Sequence, residues 1–215
     1  MPVIYDYSMR APRKRSFFTC LLALTLMGLA PAYLRAYKIT GASSVPTVLV
    51  GDTIIVNQAA YRLNLPYSGV ELFRTGSPRR GDFVFLYLPG RPRLRGFFKR
   101  IVGLPGETIE LRENRVLIDG RPLPATALDA AGFAWVPKGH PIGTCVELED
   151  GHWITFTPEK GRRRNFPPTR LAPGQYFLLG DNRDESLDSR DFGPVSGNLL
   201  TGKVVAILPT AARAK

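Results

Sequence analysis

The chain divides into one long uncharged apolar run and a series of short β-rich runs. The apolar run covers residues 16–34; as a helix it would span roughly 28 Å, close to the thickness of one hydrocarbon core. After this run, short stretches rich in β-branched and aromatic residues recur between Pro and Gly turn signals, with no long stretch of helical periodicity. They cover residues 53–56, 82–88, 97–103, 108–111, 115–119, 175–179 and 202–208. The pattern predicts a mainly β protein, an antiparallel and barrel-like sheet behind one N-terminal transmembrane helix.

The charges next to the apolar run predict how it is oriented. Residues 13–15 are Arg-Lys-Arg, and such a cluster holds its side of an anchor in the cytoplasm. Residues 1–15 would then be a basic cytoplasmic segment, residues 16–34 the anchor, and residues 36–215 an extracytoplasmic domain. Residues 122–173 are richer in Pro, Gly and charge than their surroundings, which predicts an inserted subdomain.

A cleaved signal peptide is the competing interpretation of the apolar run. Ala30-Pro31-Ala32 has the small-residue spacing of a cleavage site. The run is longer than the apolar core of an ordinary signal peptide, and this length favours a retained anchor.

The net charge of +11 suggests a partner but does not indicate nucleic acid. Five basic residues lie within residues 1–35, where positive charge beside an anchor favours contact with anionic lipid head groups. No nucleic-acid-binding motif accompanies the charge, so we predict the lipid bilayer as a partner and no nucleic acid. The two histidines and two cysteines lack the spacing of a zinc site, and we predict no metal and no cofactor. Cys20 would lie in lipid and Cys145 outside it, so we predict no disulfide.

A candidate nucleophile lies shortly after the apolar run. Ser43 stands in a turn between two small residues and a Pro-Thr pair, where its hydroxyl and nearby amides can be exposed. Val45 excludes the G-x-S-x-G elbow, and Pro46 occupies the lysine position of S-x-x-K. Without a suitable histidine, the base for such a serine must be a carboxylate or a lysine elsewhere in the chain.

Lys99 is the lysine that fits this role. It lies in a run dominated by apolar residues, and period-2 alternation places it on the same face as Phe97 and Ile101. An inward-facing lysine loses hydration, which lowers the pKa of its amine and can make it a base near neutral pH. The alternative is an outward lysine on a half-buried strand.

Residues 180–190 form the densest cluster of charge in the chain. Six of these eleven residues are charged, yet they follow the apolar run 176–179 directly. Such a segment is either a charged turn after a strand or a loop that folds over a buried polar site, where each buried donor and acceptor needs a partner.

Taken in order, these motifs resemble the bacterial type I signal peptidases, membrane-anchored serine proteases with a Ser-Lys dyad. The resemblance rests on residues 43–47, 80–85, 99–106 and 180–190 behind an N-terminal apolar run. It implies that Ser43 is the nucleophile and Lys99 the general base. It also implies that Ser186 hydrogen-bonds the lysine amine, and that Asp181, Asp188 and Arg190 support the site. The implied location is the bacterial cytoplasmic membrane, with the catalytic domain on its outer side.

The resemblance also implies the substrates, which are exported preproteins with small residues at positions −1 and −3. Apolar residues near the serine and lysine are candidates for the substrate pockets, together with Ser44. These pocket candidates are Ile39, Ser44, Val48, Ile54 and Phe98. Two departures from the family pattern stand out. Ser44 replaces the usual Met after the nucleophile, and Gly41 stands where many members carry an additional serine as an oxyanion donor.

Three other functions compete with a general signal peptidase. A dedicated peptidase for pilins or conjugation proteins would use the same residues. An inactive membrane-anchored homologue would bind without cleaving, and Ser44 and Gly41 are the residues that favour it. LexA-like repressors also use Ser-Lys chemistry, but the apolar anchor and the lack of a DNA-binding helix pair argue against them.

Overall fold

The structure is a computed structural model. It describes residues 18–19, 32–66, 68, 70–88, 96–128, 136, 144–148, 151–156 and 163–210. The predicted cytoplasmic segment 1–15 and most of the predicted anchor 16–34 lie outside these residues. Within the described ranges, no helix is long and apolar enough to cross a membrane. Leu34, the last residue of the predicted anchor, is the first residue of a strand and pairs with Asn57.

The described residues form mainly short strands. In chain order the strands are β1 Leu34–Lys38, β2 Thr53–Asn57, β3 Arg62–Asn64, β4 Glu71–Arg74, β5 Phe83–Leu86, β6 Phe97–Gly103, β7 Thr108–Arg112, β8 Arg115–Ile118, β9 Arg121–Pro122, β10 Ala125–Ala127, β11 Thr144–Leu148, β12 Trp153–Phe156, β13 Phe166–Arg170, β14 Gln175–Leu179, β15 Val195–Ser196 and β16 Leu200–Leu208. A single-turn helix, α1, covers Ser189–Phe192, and a 3-10 turn covers Gly197–Leu199.

The largest sheet has seven strands in the order β1-β2-β16-β5-β6-β14-β15. Each neighbouring pair is antiparallel. A four-stranded sheet has the order β13-β7-β8-β9, a three-stranded sheet the order β10-β11-β12, and β3 pairs with β4. The mainly antiparallel β architecture predicted from the sequence is thereby confirmed.

The core consists of three apolar clusters on the large and four-stranded sheets. One contains Val84, Ile101 and Leu178 from adjacent strands of the large sheet. A second joins Val102 and Phe177 to the four-stranded sheet through residues such as Ile109. A third contains Ile39, Val48, Ile54, Val56, Phe83 and Phe85. Strand β6 contributes to two of them because Ile101 and Val102 point to opposite faces.

All seven β-rich runs predicted from the sequence contain strands, namely β2, β5, β6, β7, β8, β14 and β16. The strands that the pattern missed are short or lack a run of β-branched residues, as Glu71–Arg74 and Phe166–Arg170 illustrate. Within residues 122–173, β10 to β12 form a sheet of their own, while β13 pairs with β7 outside that range. The inserted subdomain stays a prediction.

Candidate active site

Ser43 lies in the turn that joins β1 to β2. The Val45 amide donates to the Ala42 carbonyl at 3.2 Å, and the Val48 amide donates to the Ser44 carbonyl at 3.0 Å. These bonds curl the backbone around Ser43, whose side chain is half-buried. The carbonyl of Ser43 accepts a hydrogen bond from the Asn182 amide at 3.1 Å, so the turn is held directly against the 180–190 segment.

Lys99 lies in the middle of the large sheet, where β6 pairs with β5. Its side chain is 2% exposed. Its Nζ donates to Oγ of Ser43 at 2.9 Å and lies 5.8 Å from the centroid of the Phe97 ring. The structure therefore brings together two candidate residues that are 56 positions apart in the chain.

Burial changes the acid-base behaviour of this lysine. Loss of hydration lowers the pKa of Lys99 to about 8, although the carboxylates of Asp188 and Asp181 act in the opposite direction. Arg190 adds to the lowering because it is a like charge. A substantial fraction of the amine is thus neutral just above physiological pH, as a general base requires.

Asp181 forms the first of two buried ion pairs beside the dyad residues. Its carboxylate accepts from Nε and Nη2 of Arg100 at 2.9 and 2.7 Å, a bidentate arrangement, and from the Thr47 hydroxyl at 2.6 Å. Burial opposes ionisation of Asp181, but these donors outweigh it and lower the pKa of the carboxyl. Arg100 also donates to the Gly81 carbonyl at 2.8 Å. The pair ties the serine turn to β6 because Thr47 belongs to the turn.

Asp188 and Arg190 form the second buried ion pair. Nε and Nη2 of Arg190 each donate to Asp188 at 2.9 Å, and Nη2 also donates to the Arg183 carbonyl at 2.7 Å. Asp188 caps α1 and accepts from the Gly180 amide at 3.0 Å. Its burial opposes ionisation, but Arg190 and the Gly180 amide lower the pKa of the carboxyl. Asp188 therefore closes the 180–190 segment into a compact loop.

Ser186 lies close to the serine turn through Gly180. A Cβ on Gly180 would lie 2.6 Å from the Ser43 carbonyl oxygen and would also collide with the Ser186 side chain. Only glycine fits between these two serines. The Ser186 hydroxyl makes no hydrogen bond of ordinary length and angle to another described residue. It nevertheless lies close enough to the Asp188 carboxylate to help lower its pKa. The predicted bond from Ser186 to the lysine amine stays a prediction.

Three of the five predicted pocket residues line one cleft beside the dyad residues. The cleft has a volume of about 440 Å³, and its walls include Ile39, Ser44, Phe98, Ser43 and Lys99. Val48 and Ile54 do not line it; both are fully buried and belong to the core cluster that contains Ile39.

Several residues that the structure places at this site have no role predicted from the sequence. Arg100, Thr47 and Gly180 hold the serine turn, β6 and the 180–190 segment together. Arg183 is 1% exposed, and its Nε donates to the Gly180 carbonyl at 3.1 Å. Arg100 lies directly after Lys99 in the chain, but alternation places it on the opposite face of β6, and nothing local indicates its partner 81 residues away.

The arrangement can support nucleophilic catalysis by a hydroxyl with an amine base. The candidate nucleophile Ser43 and the candidate base Lys99 are within hydrogen-bond distance, and two ion pairs fix the elements that contain them. Among the described residues, no group of three or more His, Cys, Asp or Glu is placed to hold a metal ion.

Comparison with known proteins identifies the family. The family described as signal peptidase, peptidase S26, matches residues 13–209. The chain belongs to this family. A signal peptidase I of Pseudomonas aeruginosa is 30% identical to it over 195 residues, which cover 88% of this chain and 63% of the relative. The signal peptidase I V of Bacillus subtilis is 29% identical over 168 residues, which cover 78% of this chain and 82% of the relative.

The S26 chain is shorter than some of its relatives. It spans 63% of the length of the signal peptidases I from Pseudomonas aeruginosa and Pseudomonas fluorescens. A crystal structure of a signal peptidase I from Enterococcus faecalis is 30% identical and aligns with a TM-score of 0.37 over 60% of this chain and 98% of the other. The family predicted from the motifs is confirmed, while the roles of individual residues in this S26 member stay predictions.

Proposed function

We propose that this protein is a serine endopeptidase that removes signal peptides from exported preproteins with a Ser43-Lys99 dyad. The observation that carries the proposal is the 2.9 Å contact between Lys99 Nζ and Ser43 Oγ, made by a lysine that is 2% exposed. Membership of the S26 family supports the same reaction.

The first half of the reaction forms an acyl-enzyme. Oγ of Ser43 attacks the scissile carbonyl carbon, and the neutral amine of Lys99 takes the hydroxyl proton over the existing contact. The Ser43 amide donates to the oxyanion that forms. When the C–N bond breaks, Lys99 returns the proton to the leaving amine, and an ester to Ser43 remains.

The second half releases the signal peptide. Lys99 takes a proton from a water molecule, and the oxygen of that water attacks the ester carbonyl carbon. The C–O bond to Ser43 then breaks, and Lys99 returns the proton to the serine oxygen. The lysine therefore alternates between base and acid, which requires the lowered pKa that its burial produces.

Asp181, Asp188 and Arg190 act as positioning residues in this proposal. The carboxyl groups of Asp181 and Asp188 have lowered pKa values and are held in ion pairs with Arg100 and Arg190, so neither is suited to carry the proton of the reaction. Ser186 would orient the lysine amine, a role supported by its position against Gly180, next to the serine turn.

The cleft beside the dyad supports a preference for small residues at −1 and −3. Its walls combine the aromatic rings of Phe97 and Phe98 with the small residues Gly41 and Ser44. Ser44 is 2% exposed, so a change of its size would act on packing as well as on the cleft.

The location proposed for this domain is the outer side of a bacterial cytoplasmic membrane. The uncharged apolar run 16–34 and the basic cluster before it support an anchor of that orientation.

Cleavage of a purified preprotein in detergent tests the proposal, with the wild type beside Ser43→Ala, Ser44→Ala and Lys99→Ala. We expect Ser43→Ala and Lys99→Ala to lose activity by at least about 10³-fold, and Ser44→Ala to keep measurable activity. Full activity of Ser43→Ala would show that the nucleophile is assigned to the wrong residue. Absence of cleavage by the folded wild type, on several preproteins, would instead favour the inactive homologue.

A further inference from the structure

A second cavity, of about 320 Å³, is lined in part by Arg183 of the 180–190 segment. Apolar side chains such as Val116, Leu123, Ile154 and Phe156 form its walls. Of the described residues, Asn114, Arg115 and Arg183 are the polar ones in its walls. Apolar walls with a few converging polar groups are typical of small-molecule sites.

Asn114 is the first sign that a polar ligand belongs there. It lies in the turn between β7 and β8 with a φ of 64° and is only 3% exposed. Both its amide nitrogen and its amide oxygen are buried without a hydrogen-bond partner among the described residues. A buried polar group without a partner costs about 1–3 kcal/mol, so this side chain is suited to a ligand that bonds it.

Arg183 is the second sign. Its guanidinium is 1% exposed, and its hydrogen bonds go to the backbone carbonyls of Gly180 at 3.1 Å and Asn114 at 3.3 Å. No carboxylate forms an ion pair with it in the part of the chain that the structure describes. Burial and the nearby Arg190 lower its pKa to about 10, although Asp188 and Asp181 act in the opposite direction.

The three guanidinium groups buried around the segment differ in their ion pairs. They belong to Arg100, Arg183 and Arg190. Arg100 pairs with Asp181 and Arg190 with Asp188. Arg183 is the one of the three that has no ion pair among the described residues, and a buried charge without a paired counter-ion is costly.

We propose that this cavity binds a small monocarboxylate with a short apolar chain. The carboxylate would pair with Arg183 and accept from the Asn114 amide nitrogen, while the chain would lie against the apolar walls. This ligand supplies a counter-ion for Arg183 and an acceptor for the amide nitrogen of Asn114.

Binding at this site would affect the proposed Ser43-Lys99 dyad through Arg183 and Gly180. Nε of Arg183 donates to the carbonyl of Gly180, and Gly180 is the glycine wedged between Ser186 and Ser43. A ligand that holds Arg183 would stabilise the conformation of this contact. This coupling rests on the proposed function, whereas binding to the cavity does not.

Thermal unfolding of the full chain in detergent, with hexanoate and with hexanamide as probes, tests the binding site. At about ten times the Kd, we expect hexanoate to raise the Tm by roughly 3–5 °C and neutral hexanamide to raise it by less than ~1 °C. Isothermal titration with the same two probes measures the affinity. Equal shifts with both probes would mean that the charge is irrelevant and would overturn the proposal, as would no shift with either, the result expected if water alone fills the cavity.

Two variants separate this site from any other effect of hexanoate. Asn114→Gly keeps the positive φ and removes the amide, so it should weaken hexanoate binding by at least about tenfold. Asn114→Asp places a carboxylate inside the cavity, so it should raise the Tm without ligand and abolish the hexanoate shift. Asn198→Asp adds the same charge at an exposed position and should change neither value. An unchanged hexanoate shift in Asn114→Asp would overturn the proposal even if the protein proves inactive as a peptidase.

Discussion

Two regions of this molecule reverse the usual relation between polarity and burial. The 180–190 segment is dense in charge, yet Asp181, Arg183 and Asp188 are all at most 1% exposed. The hairpin of β3 and β4 contains Leu72 and Phe73, which are 52% and 57% exposed. The difference shows that a side chain is buried where tertiary partners exist for it, not where its own polarity favours burial.

The physical cause lies in what surrounds each region. The charged segment meets the serine turn, β6 and β12, and these supply donors and acceptors for its backbone and side chains. Within the described residues, β3 and β4 pair only with each other. A two-stranded sheet has no second layer of its own, so the side chains of β4 lie in solvent.

Removal of one partner of a buried ion pair should have the largest effect on the free energy of unfolding, and it should separate the two regions most clearly. Asp188→Asn leaves the buried Arg190 without its counter-charge and weakens the α1 cap, so we expect unfolding to become easier by about 3–5 kcal/mol. Thermal or urea denaturation measures this. Glu71→Gln in the exposed hairpin removes a similar charge and should change stability by less than ~0.5 kcal/mol.

Cleavage by the Asp188→Asn variant tests the role of the 180–190 segment. At a temperature where Asp188→Asn is folded, its cleavage rate should remain well above that of Lys99→Ala, because in the proposed mechanism Asp188 positions other groups and does not carry the proton. A loss as complete as that of Lys99→Ala would contradict this role.

The pH dependence of cleavage tests what burial does to Lys99. The proposed reaction requires the neutral amine, and burial lowers the pKa of Lys99 to about 8. We therefore expect kcat/KM to fall about tenfold for each pH unit below that value and to level off above it. Measurement between pH 5 and 10 on one preprotein shows the transition. A transition near the ordinary lysine value of about 10.4 would mean that the amine is hydrated in solution.

The lowered pKa of Lys99 should also make the stability of the protein depend on pH. Its pKa is lower in the folded state than the unfolded value of about 10.4, so the unfolded chain binds the extra proton between about pH 8 and 10.4. The contribution of Lys99 to the free energy of unfolding should rise with pH across that window and should be smallest below it. Lys99→Met should lack this rise.

Polar substitution in the exposed hairpin is the smallest expected effect. Phe73→Ser replaces a side chain that is mostly in solvent, so we expect a change in unfolding free energy below ~0.5 kcal/mol. The equivalent change at Phe85, which is fully buried, should cost about 3–5 kcal/mol. Similar losses for the two variants, by urea denaturation, would show that the hairpin is covered in the folded protein.

The fold and the family could be predicted from the sequence more fully than the site could. Short β-rich runs between turn signals predicted seven strands that the structure contains, because alternation and turn chemistry are local properties. The exposed strand β4 was missed because it is short and has no β-branched residue. Val48 and Ile54 were placed at the pocket because they are close to Ser43 in sequence, whereas they pack in the core, and no local rule separates these two positions.

The sequence by itself determined the candidate serine, the inward orientation of Lys99 and the S26 family. Each of these depends on motifs whose residues are close together in the chain. Only the tertiary structure decided that Lys99 reaches Ser43, that Arg100 pairs with Asp181 across 81 positions, and that no carboxylate of the described residues forms an ion pair with Arg183. Partnership between distant groups depends on how the sheets fold over one another, and no local pattern encodes the distance between their atoms.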